Sequence, residues 1–179
     1  MSKLIPSLGI LLAWLATAPA LATDASRPSD KTPPIKIAVF DFDLEDTGPD
    51  ASATKAPAGY STQMLAVSEA ARRLLEHSGL YSLVDTHDVD ADPAKRKSLR
   101  TCEGCEASIA MQLGAEQALV GLVTRVSNTD YYVSLRITDT KSGRVLDQQS
   151  AFFTGADDAW ASGARMLIRH TVLASQNPP

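Results

Sequence analysis

The sequence predicts an α/β domain of the α+β kind: a single mixed sheet with elements in the order β-α-β-α-β-β-β-α. Three observations carry this. Ile35 to Phe42 is a mostly apolar run of strand length. Met64, Val67, Ala71 and Leu74 recur at three- and four-residue intervals, which is the spacing of one helix face. Three segments rich in Val, Ile, Leu, Tyr and Phe then follow one another between Gln117 and Phe153. Their links are too short to carry a crossover, so the three form an antiparallel meander.

The elements are justified in order. Lys3 followed by the apolar Leu8 to Leu15 and by Ala18-Pro19-Ala20-Leu21-Ala22 reads as a secretory signal over residues 1–22, cleaved after Ala22. Its apolar run is shorter than the roughly 20 residues a membrane span needs, and no later segment reads as a transmembrane span. Residues 23–34, with Pro28, Pro33 and Pro34, form a flexible leader, and a single domain follows over 35–174 with a frayed tail at 175–179. Ile35 to Phe42 is apolar on both faces and is therefore a central strand. Asp43 to Gly59 reads as a long loop. A helix runs from a cap at Ser61 or Thr62 to Gly79. Tyr81 to Asp85 is a short strand, Asp88 to Leu99 is charged and exposed, and Glu103 to Leu113 is a helix with Cys105, Ile109 and Leu113 on one face, closed by Gly114. In the meander, Asn128-Thr129-Asp130 and Thr140-Lys141-Ser142-Gly143 supply the turns. Leu119 or Val120, then Val133, Leu135 and Ile137, then Val145, are expected on the buried face at period two. Asp157 is expected to cap a last helix whose stripe of Trp160, Ala164, Leu167 and Thr171 covers the sheet.

Composition narrows the function classes. The formal net charge is −4, and loss of the signal removes Lys3 and no acid. An acidic chain repels nucleic-acid phosphates, so nucleic acid is excluded as a partner and an anionic membrane surface is not favoured. Cys102 and Cys105 are the only cysteines. In an oxidising compartment they are expected to form a disulfide that pins the loop into the second helix. A redox pair at a helix start is the competing reading. Zinc would require two more ligands, and the three histidines offer no matching spacing.

Two acidic stretches are the candidates for chemistry. Asp41 and Asp43, two apart after an apolar strand, are placed like the nucleophile and acid/base pair of haloacid-dehalogenase-type phosphatases, which work with Mg²⁺. That pattern wants Thr or Val where Glu45 stands, and it wants a parallel sheet. Asp41, Asp43, Glu45 and Asp46 could alternatively offer oxygen ligands to a hard cation, as could Asp85, His87 and Asp88. Solvation of a loop accounts for both stretches without a metal. His77 and His170 near helix ends need no catalytic role. No phosphate loop and no G-x-S-x-G is present. No catalytic residue and no cofactor is therefore expected.

Some of the text resembles a known family. The IAVFDF strand, the helix ending before SGLYSLVD, LGAEQALVGLV and LRITDTKSGRVL look like the amino-terminal domain of TolB and the related domain of the curli secretion protein CsgG. The CxxC, the TRVSN hairpin and the Asp157-Asp158-Ala159-Trp160 helix start are similar to a family of secreted proteobacterial proteins without assigned function. The resemblance spans about Ile35 to Thr171 and implies fold rather than activity. The chain lacks TolB's propeller repeats and CsgG's acylated Cys and barrel hairpins, so neither transport role carries over. The reading that results is a periplasmic, non-enzymatic protein that binds another protein or a cell-envelope component. A metal- or small-ligand-binding accessory protein is the alternative.

Overall fold

The computed structural model describes residues 32–48, 51, 58–92, 94–96, 99 and 104–175. The signal, nearly all of the leader, Cys102 and most of the tail lie outside them. The elements are β1 (Ile35–Val39), β2 (Asp43–Asp46), α1 (Ala58–His77), β3 (Tyr81–Val84), α2 (His87–Asp90), α3 (Cys105–Gln112), β4 (Gln117–Arg125), β5 (Asp130–Asp139), β6 (Val145–Thr154), a 3₁₀ turn (Asp157–Ala159), α4 (Trp160–His170) and α5 (Val172–Ser175). One mixed sheet runs β3-β1-β4-β5-β6, with β2 also paired to β4. β1 lies parallel to β3 and β4, β2 lies parallel to β4, and β4, β5 and β6 form the antiparallel meander. The α+β fold class expected from the sequence is the one observed.

The first strand is where the sequence reading needs correction. It does not run unbroken to Phe42, and Asp43 does not open a loop. Val39 pairs with Leu119 and Asp43 with Leu122, so four steps along the first strand match three along β4. The extra residue is a bulge at 40–42, and a bulge reverses the in-out alternation beyond it. Phe40 therefore packs with Ala38 on one face of the sheet, and Phe42 packs with Ile37 and Val39 on the other; both rings are fully buried. The ladder loses hydrogen bonds at the bulge, and side chains replace them. Asp41 N donates to Asp90 Oδ1 at 3.0 Å, and Phe42 N donates to the buried Ser68 Oγ at 2.9 Å.

The two faces are covered unequally. On the first, Met64, Val67, Ala71 and Leu75 of α1 and Trp160, Ala164, Leu167 and Ile168 of α4 pack on Ile37, Leu119, Val133, Leu135 and Ile137. The stripe read from Trp160 to Leu167 does cover the sheet. On the second face, Val89 of α2, Leu99 and Ala110 of α3 pack on Ala38, Phe40 and Ala118. This corrects the exposed reading of Asp88 to Leu99: Val89 and Leu99 are both buried. That cover reaches Arg136 and Thr138 near one end of β5 but leaves Tyr132 and Phe152 in solvent.

Smaller corrections have local causes. Val145 is 45% exposed because a bulge between Ile137 and Thr138 shifts the β5–β6 register by one residue. Asp157 does not cap α4 with its side chain; it enters the 3₁₀ turn behind Ala156. α3 begins at Cys105 and buries Glu106, Ala107 and Ala110, with Ile109 and Leu113 only partly covered. Gly79 and Gly114 do end their helices, at φ +70° and +85°.

The bulge constrains β4. The Phe42 ring lies across Gly121, where a Cβ would sit 2.2 Å from Cε1. Gly121→Ala is expected to lower stability by about 1–3 kcal/mol through overpacking. Adding Phe42→Leu should make the alanine less costly. Denaturant unfolding of the four proteins in that cycle checks it; additive costs would show that the ring is not the obstacle.

Candidate functional site

Arg72 of α1 organises the carboxyl end of β1. Its guanidinium donates to Val39 O from Nε at 3.1 Å and from Nη2 at 2.8 Å. Nη2 also lies 3.0 Å from Asp41 Oδ1 and 3.0 Å from Asp90 Oδ2. Thr86 Oγ1 donates to Asp90 Oδ2 at 2.5 Å. One arginine thus ties β1, α1 and the α2 turn together at the bulge. Asp90 also accepts from the Asp41 amide and the Thr86 hydroxyl, which is the satisfied state that burial demands. Burial pushes the Asp90 carboxyl up from its ordinary 3.8; neighbouring Asp41 pushes the same way, while the Asp41 amide, Thr86 and Arg72 hold it down.

The remaining acidic candidates are dispersed. Asp43, on β2, faces Arg96 at 3.2 Å. Asp46 takes two contacts from Arg125 Nη1, at 2.8 and 3.0 Å. Glu45 lies 3.5 Å from the Thr124 hydroxyl. Asp85 Oδ1 accepts the His87 backbone N–H at 2.9 Å, and the His87 and Asp88 side chains are largely exposed. The bulge and the strand that follows set Asp41 and Asp43 against two different arginines. Among the described residues, no three His, Cys, Asp or Glu side chains gather where they could hold a metal ion. Cys105 is not free, but Cys102 lies outside the described residues, so the expected bridge stays an expectation.

The uncovered part of the second sheet face forms a cleft of about 590 Å³. Leu99, Val120 and Leu122 give it an apolar floor, and Arg96, Arg136 and Gln148 give it a polar margin. Arg136 is anchored from below. Its Nη2 lies 3.0 Å from Glu106 Oε1, which also accepts from Thr138 Oγ1 at 3.0 Å. Glu106 is 1% exposed, and its Oε2 has no partner among the described residues. Beside the cleft, Tyr132 and Phe152 pair across β5 and β6 with centroids 5.3 Å apart, edge to face. They are 43% and 53% exposed. Sequence reading missed Glu106, Arg136 and Phe152. In the Tyr131-Tyr132 pair of a strand one ring must point outward, and that ring is Tyr132.

The raised Asp90 carboxyl sets the sign of a pH effect. A group whose folded value exceeds its unfolded value adds stability below the unfolded value and loses it as pH rises through the folded one. The stability of the wild type relative to Asp90→Asn should therefore be greatest near about pH 3 and fall across the acid range. Thermal melts of both proteins at stepped pH check this; a constant difference, or one that grows with pH, would contradict it.

Distant likenesses to solved structures exist. The C-terminal domain of LpoB from Salmonella enterica is 15% identical, with 69% of this chain and 85% of that one covered at a TM-score of 0.49. Lipoprotein GNA1162 from Neisseria meningitidis is 19% identical, with coverage of 81% and 100% at 0.48. TolB from Acinetobacter baumannii is 10% identical over 80% of this chain and 28% of that one, at 0.46. At these values no activity or partner transfers, and the CsgG half of the resemblance gains no support. No curated protein matches the chain. The family model DUF3280, described as "Protein of unknown function (DUF2380)", matches residues 35–172, from the first residue of β1 to the first of α5, and the chain belongs to that family.

Proposed function

We propose that this is an exported, non-enzymatic protein of the cell envelope that binds another protein or an envelope component through the open face of β4, β5 and β6. The observation that carries the reading is the exposed Tyr132–Phe152 pair beside the cleft. Exposed paired aromatics, with Arg136 four residues along the same strand, are the residue types that anchor protein interfaces. The reading draws further support from the acidic side chains: Asp41, Asp43 and Asp46, which a phosphatase or cation site would need, are each committed to an arginine. The reading takes residues 1–22 as a cleaved secretory signal and, with it, a location beyond the inner membrane, in the periplasm. Among the described residues no helix is long and apolar enough to cross a membrane. The same compartment favours a structural Cys102–Cys105 bridge at the start of α3.

Two measurements test this. Affinity capture from envelope extracts should retain a partner on the wild type and lose it about tenfold or more when Tyr132→Ser and Phe152→Ser are combined, because anchors dominate binding. Both positions are exposed, so the double variant should melt close to the wild type. Equal capture by both proteins, or Mg²⁺-dependent phosphatase turnover abolished by Asp41→Asn, would overturn the reading. Separately, the intact mass of the exported protein should begin at Thr23; a mass that retains residues 1–22 would refute export by cleavage.

A further inference from the structure

A second opening lies on the face of the sheet that α1 and α4 cover. Where α4 ends at His170, a slot of about 350 Å³ runs between the helix end and the sheet. Tyr81, Ile137 and Val172, all part of that face's core, border it. Its outer wall comes from the register shift in β6. Ile137 pairs with Asp147 and Thr138 with Val145, so Leu146 is the extra residue. A bulge of this kind re-aims side chains. Leu146 and Asp147 are neighbours that a regular strand would send to opposite faces, and here both border the slot.

Two polar groups in the slot lack the partners that such groups find elsewhere in this fold. Asp41, Asp43 and Asp46 each meet an arginine. Among the described residues no cation lies within ion-pair distance of Asp147; its Oδ1 accepts from Gln149 Nε2 at 2.8 Å. Tyr81 is 3% exposed, and no hydrogen bond engages its hydroxyl among the described residues. Burial pushes that hydroxyl up from its ordinary 10.0, and the Asp147 charge pushes it the same way, so the two groups act on one space. The last carbonyls of α4 add partial negative charge at the same end. The exposed His170 is the one basic residue among those bordering the slot, and it stands outside ion-pair distance of Asp147.

We infer that this slot binds a primary alkylammonium group, on a free amine or on a lysine side chain, with the Asp147 carboxylate as counter-ion and the Tyr81 hydroxyl oxygen as second acceptor. This goes beyond the binding face proposed above, which lies on the other side of the sheet, and does not depend on it. The chemistry of the slot selects the ligand. An ammonium carries three N–H donors and no acceptor. Asp147 and Tyr81 accept two of them, and the third stays with water at the open end. Ile137, Leu146 and Val172 offer alkyl surface to the methylenes beside the charge. An anion would meet an unpaired carboxylate and a helix carboxyl end. A neutral alcohol would leave the carboxylate without a countercharge. A hard metal ion takes six or more oxygens, and the slot holds one carboxylate. The volume lies near the lower end of ligand pockets, which span roughly 300–1,000 Å³.

Amide-resolved NMR titration of the full chain, free of its signal, with n-butylamine at fixed pH and salt tests this. Signals of the residues bordering the slot should shift saturably, with half-saturation on the order of a millimolar for so small a ligand. Sodium butyrate and n-butanol, of the same length, should give no saturable shift. Asp147→Asn should weaken binding about tenfold or more, because it removes the charge from the strongest contact. Tyr81→Phe removes a hydroxyl that bonds to nothing in the free protein and should weaken binding by about three- to tenfold. Both variants keep the side-chain shape and should melt like the wild type. Gln149→Lys sets an ammonium beside Asp147 and should abolish the response to the amine. Acetyl-lysine amide separates the two sources: tighter binding than n-butylamine assigns the site to a partner's lysine, weaker binding to a free amine. A wild type without saturable shift at tens of millimolar amine overturns the inference. So does binding that is unchanged in both Asp147→Asn and Tyr81→Phe, or butyrate that moves the same signals as strongly as the amine.

Discussion

The extra residue between Val39 and Asp43 is the constraint on which the rest of this structure depends. A bulge in a central strand frees backbone groups that would otherwise be buried without partners, and each such group carries a penalty of about 1–3 kcal/mol if left alone. Here the freed groups recruit both flanking helices. Ser68 of α1 and Asp90 of α2 receive the amides, and Arg72 takes the Val39 carbonyl. The positions of α1 and α2 are therefore set by polar bonds at one point and by apolar packing along their lengths. The bulge also explains two buried phenylalanines with one residue between them, and the glycine that faces the second of them.

From the bulge follows the uneven cover of the sheet. α1 and α4 share one face and leave little of it open. Among the described residues the other face receives only short segments, because α2 is pinned near the end of β1 and α3 is eight residues long. That is enough to bury Ala38, Phe40 and Ala118, but not the far side of β5 and β6. A meander of three long strands is thus half-covered, and its outer strand is mostly exposed. Exposed paired aromatics on such a surface gain nothing for folding beyond their mutual contact, worth about 0.5–1.5 kcal/mol.

How much was legible in the sequence depended on the reach of each interaction. The period-two burial of Val133, Leu135 and Ile137 and the helical stripe at Trp160 were legible, because each is a local repeat facing a common core. Helix ends at Gly79 and Gly114 were legible for the same local reason. The bulge was not: IKIAVFDF reads as an even strand, and only the pairing with Gln117–Arg125, some eighty residues later, reveals the misfit. Val145 failed in the same way, through a second register shift. Nothing in the local sequence marks Glu106, on its short helix, as buried. Its burial depends on Arg136 and Thr138 arriving from β5, about thirty residues on, at the one face the helix covers.

The acidic motif shows why such reach matters for function as well as fold. Asp-x-Asp after an apolar strand is a reasonable place to look for phosphoryl chemistry, since two carboxylates at one strand end can share a metal. That requires both to point into the same space. Here both border one cleft, but a cation from elsewhere in the chain already meets each one: Arg72 for Asp41, Arg96 for Asp43. A guanidinium already engaged with a carboxylate competes with any ion for the same lone pairs, and at a partly buried site that competition is strong because neither group can return to water. The acidity of this strand end is accordingly used to hold helices and turns in place. The cleft left open to other molecules is lined by these committed carboxylates as well as by polar side chains around an apolar floor, with the two rings beside it.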